Sequence, residues 1–202
     1  MILLTCAVGK ELAFFSSVPH IEMLVTGVGP IEAGISVARA LAQGPYSLVI
    51  NAGVAGAFEG GAEVGEGVIV SEEYMEIGLE GSQPLPLPDG LRVIDRAASD
   101  LVLVDRLVEL GFQSRRGITV SCVTATQETA QRLARYRADV ESMEGFAVLR
   151  AAEMAAVPAI EVRGISNIVT ARAQSRWNFE AGLEGLQKIL AALLTLVPAT
   201  DE

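Results

Sequence analysis

The run Val140-Glu141-Ser142-Met143-Glu144-Gly145-Phe146-Ala147 sets two carboxylates around a methionine just ahead of a helical stretch. At a helix N-terminus an acid is favoured by the dipole and caps free N–H groups. The same acid can accept hydrogen bonds from a ligand's hydroxyls, with methionine as a soft apolar floor. The pattern alone leaves both readings open. Downstream, Pro158–Ser166 reads as a strand that delivers Ser166 and Asn167 at its end. Near the N-terminus, Glu11 is the first acid after the opening strand. There is one histidine, His20, in a turn beside Pro19, and no Cys-x-x-Cys. Zinc chemistry and a Ser-His-Asp triad are therefore set aside. Acid–base work must fall to carboxylates.

The elements that would position these residues alternate. Apolar runs at Ile2–Val8, Ile21–Thr26, Ser47–Asn51, Gly67–Ser71, Gly117–Thr124 and Ala138–Glu141 read as strands, as does Pro158–Ser166. Between them Ile31, Ile35, Ala38 and Leu41 recur at helical spacing after Pro30, a good first-turn residue. Ser99 is the expected N-cap of a helix over Asp100–Leu110, and Glu128–Tyr136 and Glu144–Ala156 are further helices. Leu183, Leu186, Leu190, Leu193 and Val197 form one stripe of a last helix. Residues 78–98, with three prolines, read as a long irregular loop suited to function or to a partner. Strands that are apolar without alternation, separated by amphipathic helices, predict a three-layer α/β/α fold with a mixed, largely parallel central sheet in one domain over 1–202.

In such sheets ligands sit outside the carboxyl ends of the strands. That rule nominates Gly9–Glu11, Gly27–Pro30, Ala52–Gly56 with Gly53 and Val54, Thr124–Gln127 with Thr124 and Thr126, and Ser166 with Asn167. Gly27-Val28-Gly29 is no dinucleotide fingerprint, because the third glycine position is Glu32 and no acid follows about twenty residues on. It is either a structural turn or a close approach to some ligand. Trp177 is either packing or a ligand wall, and Arg172 and Arg176 beside it are either solvated charges or partners of a substrate carboxylate.

Composition limits the partners. Of 202 residues, 50% are hydrophobic and the formal net charge is −10. So acidic a chain lacks the basic footprint that nucleic acid or an anionic membrane requires. Cys6 and Cys122 lie in apolar runs and read as buried thiols of a cytoplasmic protein, not a disulfide framework.

Met143-Glu144 followed by small residues, the Val-Pro-strand-Arg-x-Ile-Ser ending, Asn51-Ala52-Gly53-Val54-Ala55-Gly56 and Val64-Gly65-Glu66-Gly67-Val68-Ile69-Val70 together resemble the nucleoside phosphorylase and nucleosidase family, from residue 1 to about 195. The resemblance implies a purine nucleoside ligand, no cofactor, and a homodimer or higher homo-oligomer. It implies that Glu144 binds the ribose 2′- and 3′-hydroxyls above Met143, that Glu11 activates water, and that Thr124–Gln127 lines the base. Asn167 stands where adenosine-directed members carry aspartate. An amide cannot protonate a purine N7, but it can donate to a 6-oxo group. Neither arginine nor serine stands in Ile50–Val54, where phosphorylases of the family grip phosphate. Ser142 shifts Glu141 from the position of the family's first glutamate and leaves its role open. The expectation is hydrolysis of a 6-oxopurine nucleoside. A phosphorylase, an adenosine-type nucleosidase acting on methylthioadenosine, and a non-catalytic nucleoside-binding module are the alternatives.

Overall fold

The computed structural model describes residues 1–77, 87–171 and 176–197. Eight strands form one sheet: β1 (Ile2–Cys6), β2 (Ile21–Val25), β3 (Leu48–Ala57), β4 (Gly67–Met75), β5 (Arg96–Ala98), β6 (Gln113–Thr119), β7 (Val140–Ser142) and β8 (Ala159–Ile168). The helices are α1 (Pro30–Gln43), α2 (Leu101–Glu109), α3 (Gln127–Leu133), α4 (Gly145–Met154) and α5 (Phe179–Leu196). β1 pairs in parallel with β2 and β3, β3 with β8, and β6 with β4 and β7. The antiparallel pairs are β3–β7, β4–β5 and β4–β8. The strands β3, β8, β4, β6 and β7 are each paired to the next, and β7 returns to β3, so that end of the sheet closes on itself.

Both faces of the central strands are covered, which is why they read as unbroken apolar runs. Leu4, Ile50, Ile160 and Val162 face Leu186, Ile189 and Leu193 of α5 and Leu107 of α2. Leu3, Val49 and Ala159 face Ala33 and Val37 of α1 and Val148, Leu149 and Ala152 of α4.

Several boundaries differ from the sequence expectation. β3 runs six residues past Asn51, because its glycines and alanines lie between two pairing strands. β6 ends at Thr119, and the residues after it turn away as a loop. β5 lies within the stretch expected to be irregular, while 78–86 fall outside the described residues. Asp100, not Ser99, caps α2 by accepting the Leu103 N–H; the Ser99 hydroxyl is buried and donates to Val70 O. The stripe expected to bury α1 is wrong at its start: Ile31 and Ile35 are 73% and 63% exposed. Helix α1 buries the small residues Ala33 and Val37 instead, which lets it lie close against Ala147 of α4. Cys6 is buried, but Cys122 is exposed in the loop after β6. Among the described residues no helix is long and apolar enough to cross a membrane.

Candidate active site

The carboxyl ends of β1, β3, β7 and β8 surround a cavity of about 240 Å3. Its lining includes Glu11, Val28, Val54, Gly56, Glu141, Met143, Glu144, Ser166, Asn167 and Trp177. Small-molecule pockets usually span about 300–1,000 Å3, so this one lies just under that range. A second cavity of about 390 Å3 opens at the amino ends of the strands, beside His20 and Asp100. Asp100 is committed there to capping α2.

Glu11 lies on the short 3-10 turn Gly9–Leu12 that follows β1 and is buried. Its Oε2 accepts the Ala7 and Val8 N–H groups at 3.0 and 3.1 Å, and Oε1 accepts the Val54 N–H at 2.9 Å. An ionised carboxylate has about four acceptor positions, so one remains for a ligand or a water. Gly53 makes this packing possible. A Cβ there would stand 2.7 Å from Glu11 Oε1 and 2.5 Å from Arg163 Nη1.

Glu144 is the residue just before α4, and its Oε1 accepts the Gly29 N–H at 2.9 Å. Gly29 adopts φ 99°, a conformation that other residues reach only with strain. The Gly27–Gly29 turn thus brings the start of α1 to Glu144, and Val28 into the cavity wall. Burial raises the Glu144 carboxyl above its ordinary range; the Arg163 charge and the Gly29 N–H oppose this, and Glu11 and Glu161 add to it.

At the end of β8 the register with β3 slips between Ala55 and Gly56, so that Asn167 pairs with Gly56 and Ser166 is looped out. The Ser166 hydroxyl lies 2.9 Å from Asn167 Oδ1 as donor. That leaves Nδ2, which stands 3.0 Å from the place a Cβ on Gly56 would take. The amide thus lies beside Gly56 in the cavity wall. Trp177 is 55% exposed and stands with Phe179 in the cavity lining; Arg176 is exposed, and Arg172 lies outside the described residues.

Three nominated residues do not line the cavity. Gly53 acts behind Glu11, as above. Thr124 is buried, and its N–H donates to Glu141 Oε1 at 3.0 Å. Thr126 is exposed and caps α3 through its hydroxyl, which accepts the Thr129 N–H.

The residues missed by sequence reasoning are charged groups inside the sheet. Arg163 and Glu161, two apart on β8, are fully buried, with Arg163 Nε donating to Glu161 Oε1 at 2.7 Å. Burial opposes the Arg163 charge, but Glu161, Glu144 and Glu11 outweigh it and hold the guanidinium above its ordinary range. Beside Glu161 stands Glu73 of β4, whose Oε2 accepts the Thr119 hydroxyl at 2.9 Å. Burial, then Glu161, push the Glu73 carboxyl well above its ordinary value, against the pull of Arg163 and Thr119. Opposite charges at i and i+2 in an otherwise apolar strand were the available signal, since such charges share one face.

Residues 7–197 match the phosphorylase superfamily, and the chain belongs to that family. It is similar to the futalosine hydrolase of Thermus thermophilus, 35% identical over 179 residues that cover 85% of this chain and 80% of that protein. The futalosine hydrolase of Streptomyces coelicolor is 31% identical over 182 residues, covering 85% and 77%. Among solved structures, the futalosine hydrolase of Helicobacter pylori superposes with a TM-score of 0.82 at 14% identity, covering 97% of each chain. The 5′-methylthioadenosine/S-adenosylhomocysteine nucleosidase of Neisseria meningitidis, in complex with methylthio-immucillin-A, gives 0.80 at 14%, covering 97% and 99%. At these identities the structural likeness establishes the fold.

Proposed function

We propose that the chain hydrolyses the N-glycosidic bond of futalosine, a 6-oxopurine nucleoside, releasing hypoxanthine and leaving dehypoxanthine futalosine for menaquinone biosynthesis. The curated relatives named above carry that activity in their names, and Val-Glu-Ser-Met-Glu-Gly-Phe with Arg-Gly-Ile-Ser-Asn resembles the same enzyme. One observation carries the choice of water over phosphate. The cavity is lined by three carboxylates, Glu11, Glu141 and Glu144, and by no lysine, arginine or histidine among the described residues. Such a wall disfavours a phosphate dianion and stabilises positive charge developing on a sugar.

In this reading Glu144 accepts the ribose 2′- and 3′-hydroxyls over Met143, through charge-assisted hydrogen bonds. Cleavage begins as the C1′–N9 bond lengthens and its electron pair passes to the purine. Asn167 Nδ2 donates to O6 or N7 and stabilises that charge. A water held at the free acceptor position of Glu11 adds to C1′ and yields its proton to the carboxylate. The base leaves as neutral hypoxanthine after taking a proton from solvent. The acceptor is water and no cofactor is invoked. The proposed protein is a cytoplasmic, one-domain homo-oligomer, an assembly supported by apolar side chains exposed on α1.

The test is base release. Futalosine, inosine and methylthioadenosine are each incubated with the purified chain, with and without phosphate, and the freed base is identified. Hypoxanthine from futalosine at a phosphate-independent rate is expected. Faster adenine release from methylthioadenosine, or a requirement for phosphate, overturns the proposal.

A further inference from the structure

The mechanism leaves two fully buried acids without a role, Glu73 of β4 and Glu161 of β8. Their carboxyls converge on Gly145, the first residue of α4. A Cβ there would stand 2.5 Å from Glu73 Oε1 and 2.6 Å from each Glu161 oxygen, and the two carboxyls hydrogen-bond to one another. Ionised carboxylates only accept, so that bond needs a proton. Two like charges so close together and so far from water do not both ionise.

The other partners decide which acid carries the proton. Glu161 Oε1 accepts the Arg163 Nε–H at 2.7 Å, a charge-assisted bond that keeps Glu161 ionised. Glu73 receives neutral donors instead: the Thr119 hydroxyl on Oε2 at 2.9 Å and the Ser142 hydroxyl on Oε1 at 3.4 Å. The proton therefore belongs on Glu73, which donates it to Glu161.

The pair reaches the site by two routes. Arg163, anchored on Glu161, carries its Nη1 to the space beside Gly53 where Glu11 Oε1 also stands. The second route runs through the hydroxyls. Thr119 Oγ1 accepts the Phe146 N–H at 2.7 Å, and Ser142 Oγ accepts the Gly145 N–H at 3.2 Å. Those are the first two N–H groups of α4, and Glu144 is the residue just before them. A hydroxyl that accepts such an N–H while donating to Glu73 fixes the helix start that carries Met143 and Glu144.

Resting on the hydrolytic reading above, we infer that Glu73 and Glu161 hold one proton between them, carried on Glu73, and that Glu73 is thereby a positioning residue for Glu144 and Glu11. The charged groups that face Glu73 are Glu161 and Arg163 of β8, with Glu144 and Glu11 beyond Arg163. β6, β7 and α4 present the neutral Thr119, Ser142 and Gly145. Loss of the proton sets a second negative charge beside Glu161, which draws Arg163 toward the pair and weakens its hold on Glu144 and Glu11. The value of kcat/KM then falls as pH rises through the titration of the pair.

The experiment reads the proton first. Infrared spectra of the unaltered chain show a buried carboxylic acid C=O band at neutral pH that fades as pH rises, and Glu73→Gln loses that band. Its absence from the unaltered chain, or its undiminished persistence in Glu73→Gln, overturns the inference. The pH profile of kcat/KM for hypoxanthine release is then compared across variants. Glu73→Gln keeps a donor for Glu161 and an acceptor for the hydroxyls, so it lacks the fall at high pH. Glu161→Gln takes the anion from Arg163 and costs about 10–100-fold at neutral pH, the worth of a hydrogen bond between charged groups, while Glu73→Gln costs at least about tenfold less. Glu73→Leu has neither donor nor acceptor and raises KM more than it lowers kcat, a loss that glutamine at the same position rescues. Equal losses in Glu73→Gln and Glu161→Gln, or an unchanged fall at high pH in Glu73→Gln, overturn the assignment. Failure of the unaltered chain to cleave any nucleoside is a different result: it removes the hydrolytic reading, and the infrared band then decides the proton alone.

Discussion

Glu11 is defined by what holds it. Three backbone N–H groups fix its plane, and one acceptor position is left over. Glu11→Gln keeps the shape but removes the base. It also turns an NH2 group toward either Val54 N–H or the Ala7 and Val8 N–H pair, a donor against a donor, which costs about 1–3 kcal/mol of stability. The expected outcome is a folded protein, by circular dichroism, with a somewhat lower melting temperature and a kcat for hypoxanthine release reduced about 10²–10⁴-fold. A kcat within a few-fold of the unaltered chain removes Glu11 from the role of base. Glu144 differs in that, among the described residues, the hydrogen bond that holds it is the Gly29 N–H on Oε1 at 2.9 Å, and the proposed role gives its second oxygen to the diol.

Strand β3 does more for the site than its sequence suggests, because Gly53 and Gly56 contribute absence of bulk. Gly53→Ala places a methyl against both Arg163 Nη1 and Glu11 Oε1. Overpacking of this kind costs about 1–3 kcal/mol, seen as a lower melting temperature, and the displaced Glu11 lowers kcat more than it raises KM. Where β4, β8 and α4 meet, Glu73 gives a second prediction. Its folded-state affinity for a proton is raised above the ordinary glutamate value of 4.5. The folded chain therefore binds that proton more tightly than the unfolded one, so this stabilisation is present at low pH and is lost as pH rises through the raised value. Glu73→Gln, neutral at every pH, flattens that decline, and melting curves across about pH 5–9 show the variant gaining on the unaltered chain as pH rises. The strand ends, the Met143-Glu144 pair and the α5 stripe were legible because each is a local pattern of type and spacing. The return of β7 to β3 was not, since a three-residue strand carries no periodicity and its pairing is set by distant partners. Arg163 and Glu161 were hidden for a related reason: each has meaning only through groups on β3, β4 and α4.

At the scale of the molecule, one surface stands out. Val28, Ile31 and Ile35 are 53%, 73% and 63% exposed, and Met23 and Val25 on β2 are about half exposed. Isolated apolar side chains on a surface need no explanation, but a run along the start of one helix does. Their helical spacing would have buried them had α1 turned that face to the sheet. It cannot, because Ala33, Gly34 and Val37 are the residues small enough to pack against α4. A second copy of this chain is the proposed cover, and Val28 ties that cover to catalysis because it also lines the cavity. Light scattering of the purified chain is then expected to give a mass at a multiple of 21.3 kDa. Ile31→Glu combined with Ile35→Glu buries like charges on assembly and is expected to yield the monomer, with weaker substrate binding as the wall around Val28 loosens. A monomer at micromolar concentration for the unaltered chain, or full activity in a monomeric double variant, would show that α1 faces solvent for some other reason and that the cavity is complete within one chain.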